Sequence, residues 1–184
     1  TTPMHLRADA PGGMASIAHA IPDILAAHGG DNSRITIGKL DIQPNFMHTV
    51  PGRADFVVNI RDTDPARIAA LCDAMQERIA TAAGANGLDF TVEEHSRMEP
   101  VALDPGLTGV LREEAARLGL AALDMPSGAG HDAQTMQALC PAALVFVPSR
   151  GGVSHSPEEF TDWPDIEQGA ALMLAVLTRL AAGR

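Results

Sequence analysis

Lysine is nearly missing from this sequence: Lys39 is the single one, and the formal net charge is −10. A chain so short of cations cannot neutralise a run of phosphates, which excludes nucleic acid as a natural partner. Cysteine is scarce as well. Cys72 and Cys140 sit inside apolar periodic segments, where small buried thiols are expected rather than a disulfide, in keeping with a reducing cytoplasm. No apolar run approaches the ~20 residues of a bilayer crossing, and no basic stretch followed by an apolar core opens the chain, so no membrane partner is expected. Also missing are HxxEH, CxxC and the GxSxG elbow of serine hydrolases. What is present is 46% apolar content over 184 residues, enough for a genuine core.

The patterning divides the chain near Pro100. In the first part, Met14, Ile17, Ile21, Ile24, Leu25 and His28 recur at helical spacing over 14–28, and Pro22 must kink that helix or begin a second turn. Residues 35–43 alternate as a strand whose phase changes near Gly38, where a bulge is expected. A second strand over 53–61 puts Phe56, Val58 and Ile60 on one face and Asp55, Val57, Asn59 and Arg61 on the other. Asp64 caps the next helix, with Pro65 in its first position and Ile68, Leu71, Cys72, Met75 and Ile79 facing inward. Residues 88–95 alternate again as a strand. One further strand before Thr1 would complete a ferredoxin-like α+β sandwich over 1–100. The opening "TTPMHLRADA", already in mid-pattern, reads as a chain whose beginning lies elsewhere.

From 101 to 184 the expected order changes. A helix capped by Asp104 buries Leu107, Val110, Leu111, Ala115 and Leu118. A short strand over 122–126, a helix over 131–139, an apolar strand in "AALVFVP" and a last helix from about Pro164 to Ala182 follow. A strand apolar on both faces, alternating with helices, is the signature of a covered, mostly parallel sheet. Two strands are too few for an independent α/β domain, so this segment is expected to belong to a larger one.

Two loops follow those strands, where open α/β sheets collect their chemistry. In "SGAGHD", Gly128 and Gly130 would let the backbone approach a ligand, with His131 beside it. The same letters also describe a turn in which Ser127 or Asp132 caps a helix. In "GGVSHSPEE", Gly151 and Gly152 clear space, Pro157 stiffens the exit, and Glu158 or Glu159 could accept the second ring N–H of His155, as a metal-bound imidazole requires. One histidine is not a metal site, since zinc takes three or four ligands, so any partners lie outside this sequence. Arg61 ends a strand on the non-core face, where its planar guanidinium could clamp a carboxylate. Asn45 and His48 lie in the preceding link, near enough in a hairpin to join it.

Taken together, "TTPMHLRADA", "QPNFMHTVPG", "VNIRD", "MPSGAGHDA" and "FVPSRGGVSHSPEE" resemble, in this order, the amidase, hydantoinase and carbamoylase family of dinuclear zinc amidohydrolases. The resemblance implies the C-terminal part of a catalytic α/β domain, preceded by a ferredoxin-like lid and dimerisation domain. It implies hydrolysis of a linear amide bond in an N-carbamoyl amino acid or a ureido acid such as allantoate. The family uses two divalent metal ions, zinc first, with manganese, cobalt or nickel as alternatives. By this likeness His155 is a metal ligand, Arg61 binds the substrate carboxylate, and His131, Gly128, Gly130 and Asn45 line the substrate. The family carries asparagine where this chain has His48, an imidazole with one donor in place of an amide's two. Its remaining metal ligands and glutamate base have no counterpart here, so no catalytic residue is expected in this chain and no turnover from it alone. A small-molecule substrate and a homodimer through the lid are the implied partners. A non-catalytic dimerisation or ligand-binding module is the alternative, and it would leave the His155 loop idle.

Overall fold

A computed structural model describes residues 1–183, which divide into two compact units, one spanning Thr1–Pro100 and one beginning at Val101. In the first unit α1 (Ala10–His19) and α2 (Ile21–His28) replace the single helix expected over 14–28. The break falls at Ala20, because Pro22 has no N–H to continue the ladder and its ring suits the first turn of a new helix. Asp9 caps α1 by accepting the Gly12 amide at 3.1 Å. β1 (Arg34–Gln43) and β2 (Arg53–Arg61) pair antiparallel, with the register slipping between Ile37 and Lys39. The slip sits at the expected Gly38 bulge, and it lets Ile35, Ile37, Leu40 and Ile42 lie opposite Ile60, Val58, Phe56 and Ala54.

α3 (Pro65–Ala85) starts where expected, its cap Asp64 accepting the Ala66 amide at 2.9 Å. It buries Leu71 and Met75 fully, while Ile68, Cys72 and Ile79 are half-buried. Ile17, Ile24, Leu71, Met75 and Ala82 form the core, with Ile35, Phe56, Val58 and Ile60 packed against it, so the helices cover one face of the hairpin. The turn from α2 into β1 is locked to the exit of β2 by one carboxylate. Asp62 accepts the Ser33 hydroxyl, takes the Asp64 amide at 2.8 Å and faces Arg67 at 3.9 Å, with its side chain only 1% exposed. Burial pushes its pKa up, but the Ser33 hydroxyl, the Asp64 and Thr63 amides and the Arg67 guanidinium outweigh it and hold the carboxyl below the usual range.

In the second unit α4 (Pro105–Arg117) packs on α6 (Trp163–Ala181) through Ala115, Leu172 and Val176, with α5 (Asp132–Gln137) short between them in sequence. Asp104 caps α4 by accepting the Leu107 amide at 2.7 Å. Glu114, buried on α4, accepts from Arg117 at 2.7 Å and from Arg179 of α6 at 3.2 Å. Ala143, Leu144, Val145 and Val147 line an apolar cleft of about 430 Å³ with Leu107, Leu111, Met173 and Val176. A Cβ at Gly169 would stand 2.5 Å from a Val147 methyl, so that segment lies directly on α6. α6 also leaves Trp163, Leu174 and Leu177 exposed.

Three expectations need correction. Residues 88–95, 122–126 and 142–148, expected as strands, carry no ladder among the described residues, and the sheet has two strands, β1 and β2. Alternation in sequence sorts side chains to faces, but a ladder needs a neighbour's N–H and C=O groups, and none is offered to these segments. Leu118 is exposed rather than core, because α4 ends at Arg117 and the chain turns away. Cys140 is exposed beyond the end of α5, whereas Cys72 is half-buried, with burial raising its pKa; both are free thiols. No helix among the described residues is long and apolar enough to cross a membrane.

Replacing Asp62 by asparagine should destabilise the fold by about 1.5–3 kcal/mol, the range for hydrogen bonds to a charged group. The folded carboxyl titrates below its unfolded value, so the difference between parent and variant should be full above about pH 4 and shrink as pH falls further. Urea unfolding of both proteins at pH 3 to 7 measures it.

Candidate functional site

In the first unit the chemistry sits on the hairpin. β2 alternates as the sequence requires, leaving Arg61 exposed on the outward face, where its Nε donates to Asn59 Oδ1 at 2.7 Å. Its partner across the ladder is Arg34, also exposed, whose Nη1 donates to the carbonyls of Asp31 and Ser33 at 2.7 Å each. Arg34 was passed over in the sequence. Counting the antiparallel register outward from the bulge would have found it.

Asn45 and His48 lie in the link at the other end of the hairpin from the Arg34–Arg61 pair. The link that carries them joins Gln43 to Arg53, the closed end of the hairpin, while Arg61 pairs with Arg34 at the open end. Eight residues of strand separate Arg53 from Arg61, roughly 26 Å at 3.3 Å per residue. Both residues of the link are exposed; Asn45 adopts φ 49°, a left-handed conformation that asparagine tolerates, and the His48 ring meets Phe46 edge-on at 6.1 Å.

In the second unit the bend before α5 is organised by Ser127. Its hydroxyl accepts the Ala129 amide at 3.1 Å and lies 2.8 Å from Nε2 of His131. His131, not Ser127 or Asp132, is the residue that precedes α5, and Gln134 Oε1 accepts its backbone N–H at 3.2 Å. Its half-buried ring packs edge-on against Phe146 at 5.4 Å. Among the described residues nothing stands within 4 Å of a Cβ built on Gly128, and at Gly130 the neighbour is Gln134 Oε1 at 3.5 Å. Neither glycine has a positive φ, so the folded chain itself supplies no reason for glycine at either position.

The loop after Pro148 is closed by Arg150, whose amide donates to the Phe160 carbonyl at 2.8 Å and whose guanidinium meets Asp162 at 2.5 Å and covers the Phe160 ring. Gly151 and Gly152 take φ 66° and 70° with no backbone or polar atom crowding them, so conformation rather than clearance requires glycine there. His155 is exposed, and it too is left-handed at φ 56°. A non-glycine residue there costs roughly 1–2 kcal/mol, and such positions cluster where function over-determines the backbone. Neither acid takes its ring N–H. Glu159 accepts the backbone amide of His155 at 3.0 Å, and Glu158 accepts the Ser156 hydroxyl, because the left-handed turn aims the amide, not the ring, at the acids. The ring itself makes no hydrogen bond among the described residues.

No group of three or more His, Cys, Asp or Glu side chains among the described residues could hold a metal ion. One neutral imidazole is a fitting donor for zinc or a similar ion but an insufficient one, so His155 would be a contributor to a centre rather than the centre itself.

Comparison with known proteins resolves what these parts belong to. The N-carbamoyl-L-amino-acid amidohydrolase of Paenarthrobacter aurescens is 34% identical over 180 residues, covering 98% of this chain and 43% of its own. The allantoate amidohydrolase of Bacillus subtilis is 35% identical over 181 residues, covering 98% and 44%. A crystal structure of an amidase of the hydantoinase/carbamoylase family from Burkholderia multivorans superposes with a TM-score of 0.87 at 35% identity, over 97% of this chain and 43% of that one. The chain thus spans less than half the length of the relatives it matches. With residues 7–179 matching the family as a whole, the chain belongs to peptidase family M20/M25/M40.

Proposed function

We propose that this chain is the substrate-binding and closing portion of a metal-dependent amidohydrolase that cleaves a linear amide bond in an N-carbamoyl amino acid or ureido acid. The observation that carries the reading is His155: an exposed imidazole held in a costly left-handed backbone by a loop hydrogen-bonded around it. A solvent turn needs no such strain, whereas a donor that must meet an ion at fixed geometry does. Relatives named for hydrolysis of N-carbamoyl-L-amino acids and of allantoate support the substrate class.

In this reading His155 donates a neutral ring nitrogen to one of two divalent ions, zinc first, with manganese, cobalt or nickel as alternatives. Such ions, when bound, lower the pKa of water and polarise the scissile carbonyl. The other donors and the general base belong to the portion of the relatives' length that this chain does not span. The edges of the expected parallel sheet, on which residues 122–126 and 142–148 would pair, belong there too. This chain's own residues bind and orient. Arg61 offers parallel N–H groups to the substrate carboxylate. The bend at 127–131 would bring Gly128 and Gly130 to the ligand, with His131 held in one orientation by Ser127 and Phe146. His48 and Asn45, at the far end of the hairpin, would reach a substrate held by a second copy, consistent with a homodimer through the first unit. The exposed apolar face of α6 supports a larger catalytic domain packed there.

Three outcomes test this. The 184-residue chain alone, given zinc and N-carbamoylglycine, should release no ammonia. Completed with the portion of the Bacillus subtilis relative that it does not match, it should do so, and His155→Ala should cost at least about 100-fold in kcat with loss of bound metal. An unchanged rate and metal content in that variant would sink the proposal. Arg61→Gln in the completed enzyme should raise KM about 10- to 100-fold, the equivalent of losing charge-assisted hydrogen bonds to a carboxylate. In the isolated chain His155→Gly should stabilise the fold by up to about 1 kcal/mol, since it relieves the left-handed residue, as thermal unfolding will register.

A further inference from the structure

Asp162 occupies the N-cap of α6 and does not cap it. Asp9 stands in the same setting at α1, with proline at the second helical position, and it accepts the amide of the third residue, Gly12, at 3.1 Å. At α6 the proline is Pro164 and the third residue is Asp165, whose amide bonds the Asp162 carbonyl at 3.0 Å, while the Asp162 side chain accepts from no amide of the helix. That carboxylate is held by Arg150 instead, Oδ1 accepting from Nη2 at 2.5 Å. A capping aspartate contributes measurably to a helix, whereas an exposed ion pair contributes little, and these two side chains are 66% and 51% exposed. Stability of the second unit is therefore a poor explanation for the exchange.

The pair closes a loop. Besides meeting Asp162, Arg150 donates its amide to the Phe160 carbonyl at 2.8 Å and sets its guanidinium carbon 4.7 Å from the centroid of the Phe160 ring. Residues 149–161 thus have the form of an Ω-loop whose ends are fastened side by side. At its head Glu159 takes the His155 amide at 3.0 Å, and its own amide donates to the Ser156 carbonyl at 3.0 Å. Among the described residues the hydrogen bonds of 151–159 all stay within 149–159. The head is consequently steered through the neck that Arg150 fastens, and His155, left-handed at φ 56°, rides on it.

We propose that Arg150 and Asp162 are positioning residues for His155: their pair, formed in place of a helix cap, fixes the loop so that the imidazole is presented in one place and direction to a metal ion. The proposal rests on the reading of His155 as a metal donor. Neither residue of the pair is a ligand in it. The fastened neck narrows where the ring can be before the ion arrives, so that less ordering remains to be done on binding.

The test measures zinc affinity of the completed enzyme without substrate, by competition with a chelator, alongside thermal unfolding and amide hydrogen exchange of the 184-residue chain. Arg150→Met should weaken zinc binding about 10-fold, the low end for residues that orient a metal ligand, and raise exchange over 151–159. Its thermal midpoint should stay within about 2 °C of the parent's, since the freed Asp162 can then cap α6. Asp162→Asn, whose amide still caps a helix, should give the same loss of zinc, and the double variant should lose no more than either single one. Parental zinc affinity in either single variant, with metal lost in His155→Ala, overturns the role of the pair and leaves that of His155. Parental affinity in all three overturns both readings. A loss of zinc accompanied by a larger fall in the midpoint makes the pair a general support of the fold and overturns the proposal.

Discussion

Backbone pairing is non-local, and most of what distinguishes this structure follows from that constraint. An N–H or C=O group in a strand is satisfied across the ladder or not at all, so a segment becomes a strand by virtue of its neighbour. β1 and β2 find each other across a short link and form a sheet. Residues 142–148 have the composition of a buried strand and lie on α6, yet carry no ladder. Metal coordination obeys the same logic, since one imidazole has little affinity until other donors converge on the same point. Both constraints bear on a chain that spans less than half of its relatives' length.

The two units solve their internal packing differently. In the first, a buried carboxylate at Asp62 gathers a hydroxyl, two amides and a guanidinium, so that the α2 to β1 turn and the β2 exit behave as one piece. In the second, Glu114 ties α4 to α6 through Arg117 and Arg179, and these arginines hold its carboxyl below the usual range against the effect of burial. The first cluster lies beside the end of β2, which carries Arg61.

Local signals were legible in the sequence where their cause is local. Asp64 with Pro65 and Asp104 with Pro105 announce helix starts because a short acidic side chain reaches the amides of the next turn and proline needs no N–H there. The phase change at Gly38 announced the bulge because alternation is read along one strand. Asp9, by contrast, was missed as a cap, since the following "APGG" dilutes the apolar pattern. The site was legible in residue types but not in arrangement. Nothing along the chain said that Glu159 would take a backbone amide instead of the His155 ring, because that depends on a left-handed φ at a non-glycine residue. Nor could the pairing of Arg34 with Arg61 be read without knowing the register across the bulge.

The slip between Ile37 and Lys39 has its own consequence. In an unbroken strand the parity of Ile35 and Ile37 would pass to Lys39, Asp41 and Gln43, sending three hydrophilic groups toward the helices and Leu40 and Ile42 into water. One extra residue resets odd and even, so the two halves of β1 obey separate phase rules while sharing a single partner strand. The orientation of everything beyond residue 38, the loop of Asn45 and His48 included, is therefore inherited from a glycine on which a Cβ would meet nothing within 4 Å among the described residues.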